Sequence, residues 1–129
     1  MNPDVKAKWV AALRSGEYNQ ADGALRIKDT FCCLGVLCDL YKQEQGGTWE
    51  LTAYMGAEML DGQYHFVPPN NDGQPGVLPT CVAKWAGLKL NDPHLKTECT
   101  NEDSIECISE LNDRGAKFDH IADLIEQQL

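Results

Sequence analysis

Near its beginning the chain carries apolar residues at the spacing of an amphipathic α-helix. The stripe consists of Val5, Trp9, Ala12 and Leu13. Asn2 is a favourable N-cap residue, Pro3 suits the first helical turn, and Gly16 is a typical helix stop. We therefore predict a first helix between Asn2 and Gly16, with one face turned to the core.

The segment TFCCLGVLCDLYKQ (Thr30–Gln43) predicts a second helix of a different kind. Its apolar residues satisfy helical spacing on more than one face, which is typical of a helix buried on most sides. They are Phe31, Leu34, Val36, Leu37, Leu40 and Tyr41. Gly35 in their midst would allow another part of the backbone to approach closely.

Short alternating segments predict a small sheet. Leu25 and Ile27 alternate with Arg26 and Lys28, so this strand would have one buried face and one basic face. Two further segments have the composition of strands: TWELT (48–52) and QYHFV (63–67).

Turn residues separate the later elements. Asp61-Gly62 predicts a hairpin turn, and the Pro- and Gly-rich residues 67–79 predict an exposed loop. The following LPTCVAKWAGL (78–88) predicts a short helix that ends at Gly87. Its inward residues would be Val82, Trp85 and Ala86.

The last third of the chain predicts a helical hairpin. Asp103 and Glu106 fit a capping box, and Gly115 separates two apolar stripes. The first stripe is Ile105, Ile108 and Leu111, and the second is Phe118, Ile121, Ala122 and Ile125. Together these patterns predict an α+β fold in one domain, residues 1–129, with four or five helices around a small antiparallel sheet.

Charge and composition narrow the classes of function. The 129 residues carry a net charge of −9, and many of the acids lie in the last third. An acidic surface repels phosphate backbones, so DNA binding is not expected. No apolar run has the length of a membrane span, and the first residues lack the apolar block of a signal peptide. We expect a cytoplasmic protein with reduced cysteines.

The cysteines allow three interpretations. Free cysteine commonly packs as a small hydrophobe, and the apolar neighbours in Thr30–Gln43 favour that interpretation. Alternatively, Cys32 or Cys33 is a nucleophile activated by the first turn of a helix. A histidine would then act as base and an amide would orient it. The residues available for those two roles are His65, His120 and Asn112.

The third interpretation is a zinc site. Structural zinc sites favour C-x2-C pairs, whereas here Cys32 and Cys33 are adjacent in sequence. Cys99 and Cys107 would join a ligand set only through the fold. The pattern therefore predicts neither a metal nor another cofactor.

Basic residues in the first quarter of the chain offer a further hypothesis. In an otherwise acidic protein, a local basic face is suited to an anionic small ligand such as a nucleotide. The candidates are Lys6, Arg14, Arg26 and Lys28. The sequence contains neither G-x-x-x-x-G-K-[ST] nor G-x-G-x-x-G, the glycine-rich phosphate-binding motifs. The alternative is that these four residues are ordinary solvated surface charges.

Three blocks of the sequence resemble a family of uncharacterised small proteins encoded by bacteriophages and prophages. The blocks are FCCLGVLCDLY, LPTCVAKWAGL and LNDRGAKFDHIADLIE. The resemblance implies an accessory protein that acts inside a bacterial host cell by binding a host or defence protein. It assigns no catalytic or binding residue to this chain.

The leading hypothesis combines this setting with the charge asymmetry. We expect a protein that acts by binding rather than by catalysis, through the acidic segment 98–126. Its candidate partner-binding residues are Glu102, Glu106 and Glu110. The sequence leaves the oligomeric state undetermined.

Overall fold

Helices and short strands alternate along the chain. The computed structural model describes residues 1–52, 62–70, 77–99 and 102–129. The helices in these residues are α1 (Pro3–Arg14), α2 (Cys33–Gln45), α3 (Thr80–Ala86), α4 (Ile108–Asp113) and α5 (Phe118–Gln128). The strands are β1 (Asn19–Gln20), β2 (Arg26–Ile27), β3 (Thr30–Phe31), β4 (Thr48–Leu51), β5 (Gln63–Val67), β6 (His94–Cys99) and β7 (Glu102–Cys107). The predicted α+β class is confirmed.

Helix α1 follows the sequence pattern closely. The side-chain oxygen of Asn2 accepts hydrogen bonds from the backbone N–H groups of Asp4 and Val5, at 2.9 and 3.4 Å, and so caps the helix as expected. Trp9 is fully buried. The buried stripe therefore anchors α1 on the core, with its charged face outward.

Helix α2 lies at the centre of the fold. Every side chain from Cys33 to Cys38 is buried, which confirms a helix covered on most sides. A Cβ atom on Gly35 would lie 1.9 Å from the carbonyl oxygen of Leu25, so the backbone passes directly over this glycine. The same carbonyl accepts a hydrogen bond from the N–H of Cys32, at 3.0 Å.

The main sheet has five strands in the order β1-β3-β2-β5-β4. Its neighbours are antiparallel except for β1 and β3, which pair in parallel, so the sheet is mixed rather than purely antiparallel. The first predicted strand is shorter than expected, because β2 ends at Ile27 and Lys28 turns the chain with a φ of 52°. Asp61 and residues 71–76 of the predicted turn and loop lie outside the described residues.

The prediction that a helix starts near Asp103 is wrong. Residues 102–107 form β7, which pairs antiparallel with β6 as a second, two-stranded sheet. The pairing places Leu95, which is fully buried, opposite Glu106, whereas Ile105 is 60% exposed. Ile105 therefore does not belong to the apolar stripe, and the helix begins only at Ile108.

The remaining helices complete a single core. Helix α3 ends at Gly87, which has the left-handed conformation expected of a helix stop. Val82 and Ala86 are buried and Trp85 is half-buried against Tyr41. Gly115 separates α4 from α5, so the predicted helical hairpin is confirmed from residue 108 onward. The stripe of α5 packs on α1, and one hydrophobic cluster joins residues of all five helices.

We expect Gly35→Ala to destabilise the protein by about 3 kcal/mol, because the added methyl group meets backbone that cannot rotate away. This loss outweighs the helix propensity that alanine gains. Chemical denaturation of the two proteins measures the difference.

Gly16→Ala is the matched control. Unlike the helical Gly35, Gly16 has a positive φ, of 77°, but a Cβ there meets nothing within 4 Å, so only backbone strain of about 1 kcal/mol is expected. Equal losses in the two variants would contradict the close contact at Gly35.

Candidate functional site

Cys32 occupies the N-cap position of α2, where a thiol can be activated. Its sulfur accepts a hydrogen bond from the N–H of Gly35, at 3.4 Å. Burial nevertheless dominates: removal from water raises the pKa of Cys32 to about 11, more than the N–H groups of Gly35 and Leu34 lower it. The helix start therefore holds a protonated thiol rather than a thiolate.

Cys33 is fully buried, and its groups connect helices. Its thiol donates to the carbonyl oxygen of Ile108, at 3.7 Å, and its own carbonyl accepts from the indole N–H of Trp9, at 2.9 Å. Burial raises the pKa of this thiol well above its ordinary value. These contacts are those of a core residue, in agreement with the preferred interpretation of the sequence.

Asn112 is a buried polar residue that joins three parts of the chain. Its side-chain oxygen accepts from the backbone N–H of Cys33, at 3.1 Å, and from the amide of Gln20, at 3.0 Å. Its side-chain NH2 donates to the carbonyl oxygen of Ala21, at 2.7 Å. The amide that a cysteine enzyme would use to orient its histidine is thus engaged with backbone groups.

The two candidate bases lie on separate elements. His65 is on β5, where Nδ1 lies 3.2 Å from the hydroxyl of Thr52. His120 is an exposed residue of α5. Within the described part of the chain, no hydrogen bond joins either histidine to Cys32 or Cys33.

The described residues do not form a metal site. In residues 1–52, 62–70, 77–99 and 102–129, no group of three or more histidine, cysteine or acidic residues is placed to hold an ion. Cys107 is half-buried at the end of β7. The side chain of Cys99 lies outside the described residues.

The four predicted anion-binding residues do not form one face. Arg14, near the end of α1, contacts the carboxylates of Asp123 and Glu126 on α5, at 2.5 and 2.6 Å. Lys6 lies on α1 beside a depression of about 230 Å³ between these two helices. Arg14 therefore belongs to the α1–α5 contact and Lys6 lies beside it, whereas Arg26 and Lys28 lie at the main sheet.

Arg26 is surrounded by aromatic side chains. The central carbon of its guanidinium lies 4.4 Å from the ring centre of Tyr64, 5.2 Å from that of Phe31 and 5.7 Å from that of Trp49. Such distances are typical of cation–π contacts. The sequence indicated that Arg26 lies on a strand, but it did not indicate this aromatic environment.

Asp39 of α2 binds one of these rings, Trp49, and the neighbouring Tyr18. One carboxylate oxygen accepts from the hydroxyl of Tyr18, at 2.7 Å, and the other from the indole N–H of Trp49, at 3.1 Å. Burial, together with the Asp39 carboxylate, raises the pKa of Tyr18. Trp49 is thus fixed to α2 as well as to the sheet.

The three acidic candidates differ in their surroundings. Glu106, on β7, is 26% exposed and contacts the guanidinium of Arg114. Glu110 is exposed on α4. Glu102 is the first residue of β7, and its side chain lies outside the described residues. Glu102 and Glu106 therefore lie on a strand and Glu110 on a helix, so the three residues do not share one element.

Two other depressions lie on the described surface. One, of about 270 Å³, lies beside the end of α3 and β6 and includes Lys89, Leu90 and His94. The second, of about 210 Å³, is polar and lies over Gln20 and Asn112. Neither brings together a nucleophile and a base.

Comparison with known proteins places the whole chain in one family. The family model that matches residues 1–129 carries the description Domain of unknown function (DUF8296). The chain belongs to this family. No curated protein and no solved structure matches the chain. Among the described residues, no helix has both the length and the apolar character needed to cross a membrane.

We expect Cys32, Cys33 and Cys38 to resist alkylation in the native protein. A thiol with a pKa of about 11 is a thiolate in roughly one molecule in ten thousand at pH 7, and burial also blocks the reagent. Labelling should begin with the half-buried Cys81 and Cys107 and reach α2 only in denaturant. Mass spectrometry of each cysteine over time measures this order, and rapid labelling of Cys32 in native protein would contradict it.

We expect Asn112→Ala to lower the free energy of unfolding by about 3 kcal/mol. The change leaves the N–H of Cys33 and the carbonyl of Ala21 buried without a partner. Asn19→Ala, at an exposed position of β1, is the control and should change stability little. Urea denaturation gives both values, and equally small effects at Asn112 and Asn19 would contradict the structural role of Asn112.

Proposed function

We propose that this protein acts by binding a basic protein partner rather than by catalysis, and that the contact is made by an acidic surface on α4 and α5. This surface comprises Glu110, Asp113, Asp119, Asp123 and Glu126, all of which are exposed. The observation that carries the proposal is that two of these carboxylates, Glu110 and Asp119, have no ion-pair partner among the described residues.

The remaining carboxylates show how the surface is held in place. Arg14 fixes Asp123 and Glu126 to α1, and the carboxylate of Asp113 accepts the N–H of Gly23, at 2.9 Å. These contacts hold the two helices in one arrangement, while Glu110 and Asp119 are left for a partner. Glu106, on β7, is already paired with Arg114. The proposed surface is therefore centred on α4 and α5 rather than on β7.

The environment of the thiols supports binding over cysteine catalysis. A catalytic thiolate needs access and a nearby cation or base. Cys32 and Cys33 are both buried and their pKa values are raised. The two strongest candidate nucleophiles therefore serve packing.

The net charge of −9 also favours a basic protein over a nucleic acid as partner. Oppositely charged surfaces steer association and suppress wrong partners. The resemblance to bacteriophage proteins adds a setting: a small accessory protein in the cytoplasm of a bacterial host, directed at a host or defence protein.

We expect the double charge reversal Glu110→Lys and Asp119→Lys to abolish partner capture. Affinity purification from the bacterial host, with the partner then identified and its binding repeated with purified proteins, measures the effect. Wild-type binding should also weaken steeply with added salt, because exposed charges are screened.

A charge-matched control is the double variant Glu17→Lys and Asp29→Lys, at exposed positions outside α4 and α5. It changes net charge equally, so it should retain the partner. Loss of binding in the control as well would indicate a general effect of charge, and full binding by the first variant would refute the acidic surface.

A further inference from the structure

One row of the main sheet holds Arg26 between two rings. In the strand register, Arg26 lies directly opposite Phe31 on β3 and directly opposite Tyr64 on β5. Opposed residues of adjacent strands project to the same face of a sheet. Backbone pairing therefore fixes the position of the arginine relative to both rings, and Trp49 on β4 adds the third.

Within the described residues, the guanidinium has N–H donors for which no short hydrogen bond is seen. Its Nε donates to the carbonyl oxygen of Lys28, at 2.6 Å. The nearest carboxylate in the described part of the chain belongs to Asp29, at 3.8 Å, and the Asp29 side chain is 99% exposed. A carboxylate so exposed is well screened by water, so an external oxyanion can replace it at the terminal nitrogens.

Lys28 brings a second cation into the same turn. Its backbone N–H donates to the carbonyl oxygen of Gly62, at 2.8 Å, which ties the turn to the start of β5. The stem of its side chain packs closely on Gly62, since a Cβ there would lie 2.6 Å from Cγ of Lys28. The turn is thus held in position, and Lys28 itself is exposed.

Among the described residues, no buried acid requires the positive charge of Arg26. The carboxylate of Asp39 accepts hydrogen bonds from Tyr18 and Trp49 and so has partners without Arg26. By contrast, Arg14 and Arg114 are occupied by carboxylates of α5 and β7. Among the described residues, Arg26 is therefore held by three rings, and its one carboxylate contact is the long one to the exposed Asp29.

We propose that Arg26 binds the phosphate of a mononucleotide. The planar fork of arginine matches phosphate oxygens, Lys28 adds charge, and the partly exposed rings of Tyr64 and Trp49 offer an edge for the base. A mononucleotide fits better than a nucleic acid, since the net charge of −9 repels a long polyanion. The site is separate from the acidic surface and does not depend on it.

The test is titration of the full chain with AMP at low salt, followed by NMR of the arginine Nε–H and tryptophan indole N–H signals. We expect saturable shifts of Arg26 and Trp49. Adenosine and inorganic phosphate, used separately, should each bind at least about tenfold more weakly, because each lacks one half of the contacts. Absence of saturation with AMP would overturn the proposal.

Arg26→Gln should weaken AMP binding by about 10- to 100-fold, the usual effect of losing charged hydrogen bonds. Arg114→Gln removes an arginine from an exposed ion pair and should leave affinity unchanged. Equal affinity of wild type and Arg26→Gln would overturn the proposal, as would equal affinity for AMP and phosphate. If Arg26→Gln does not fold, the wild-type Arg26 signal decides by itself.

Discussion

The first turn of α2 takes its hydrogen-bond partners from three other parts of the chain. Leu25 supplies a carbonyl to Cys32, Trp9 supplies its indole N–H to the carbonyl of Cys33, and Asn112 supplies an oxygen to the N–H of Cys33. Buried backbone groups without partners are costly. Hydrogen bonds to the first turn of α2 therefore fix the positions of α1, the loop before β2, and α4. The small side chains of this turn allow these three segments to come close to α2.

The fold was predictable where local pattern and tertiary packing agree. Apolar stripes, together with residues typical of helix ends, predicted α1, α2, α3 and α5 from the sequence alone. The strand β7 was missed because the spacing of Ile105, Ile108 and Leu111 also fits a helix, and pairing with β6 is a non-local choice. The alternation of Leu95 and Thr97 with Lys96 in β6 was the signal that could have revealed it.

The candidate sites were less predictable, because they depend on register and on burial. For Cys32 the sequence allowed both a thiol activated by a helix start and a packed cysteine, and the apolar neighbours favoured packing. The structure agrees, because burial raises the pKa of this thiol to about 11. Likewise Arg26 and Tyr64 were both placed on strands, but only the pairing of β2 with β5 brings them together. Arg14, predicted to share a basic face with Arg26, instead pairs with carboxylates of α5.

The partners of α2 also constrain how the protein is made. The contact between Cys33 and Asn112 spans 79 residues, and that between Cys33 and Trp9 spans 24. Closing such loops costs entropy before the contacts repay it. During synthesis, the central helix emerges from the ribosome long before Asn112 does. Until then the N-terminal two-thirds lack the residues that α4 and α5 contribute to the core, so we expect stable folding only after these helices have been translated.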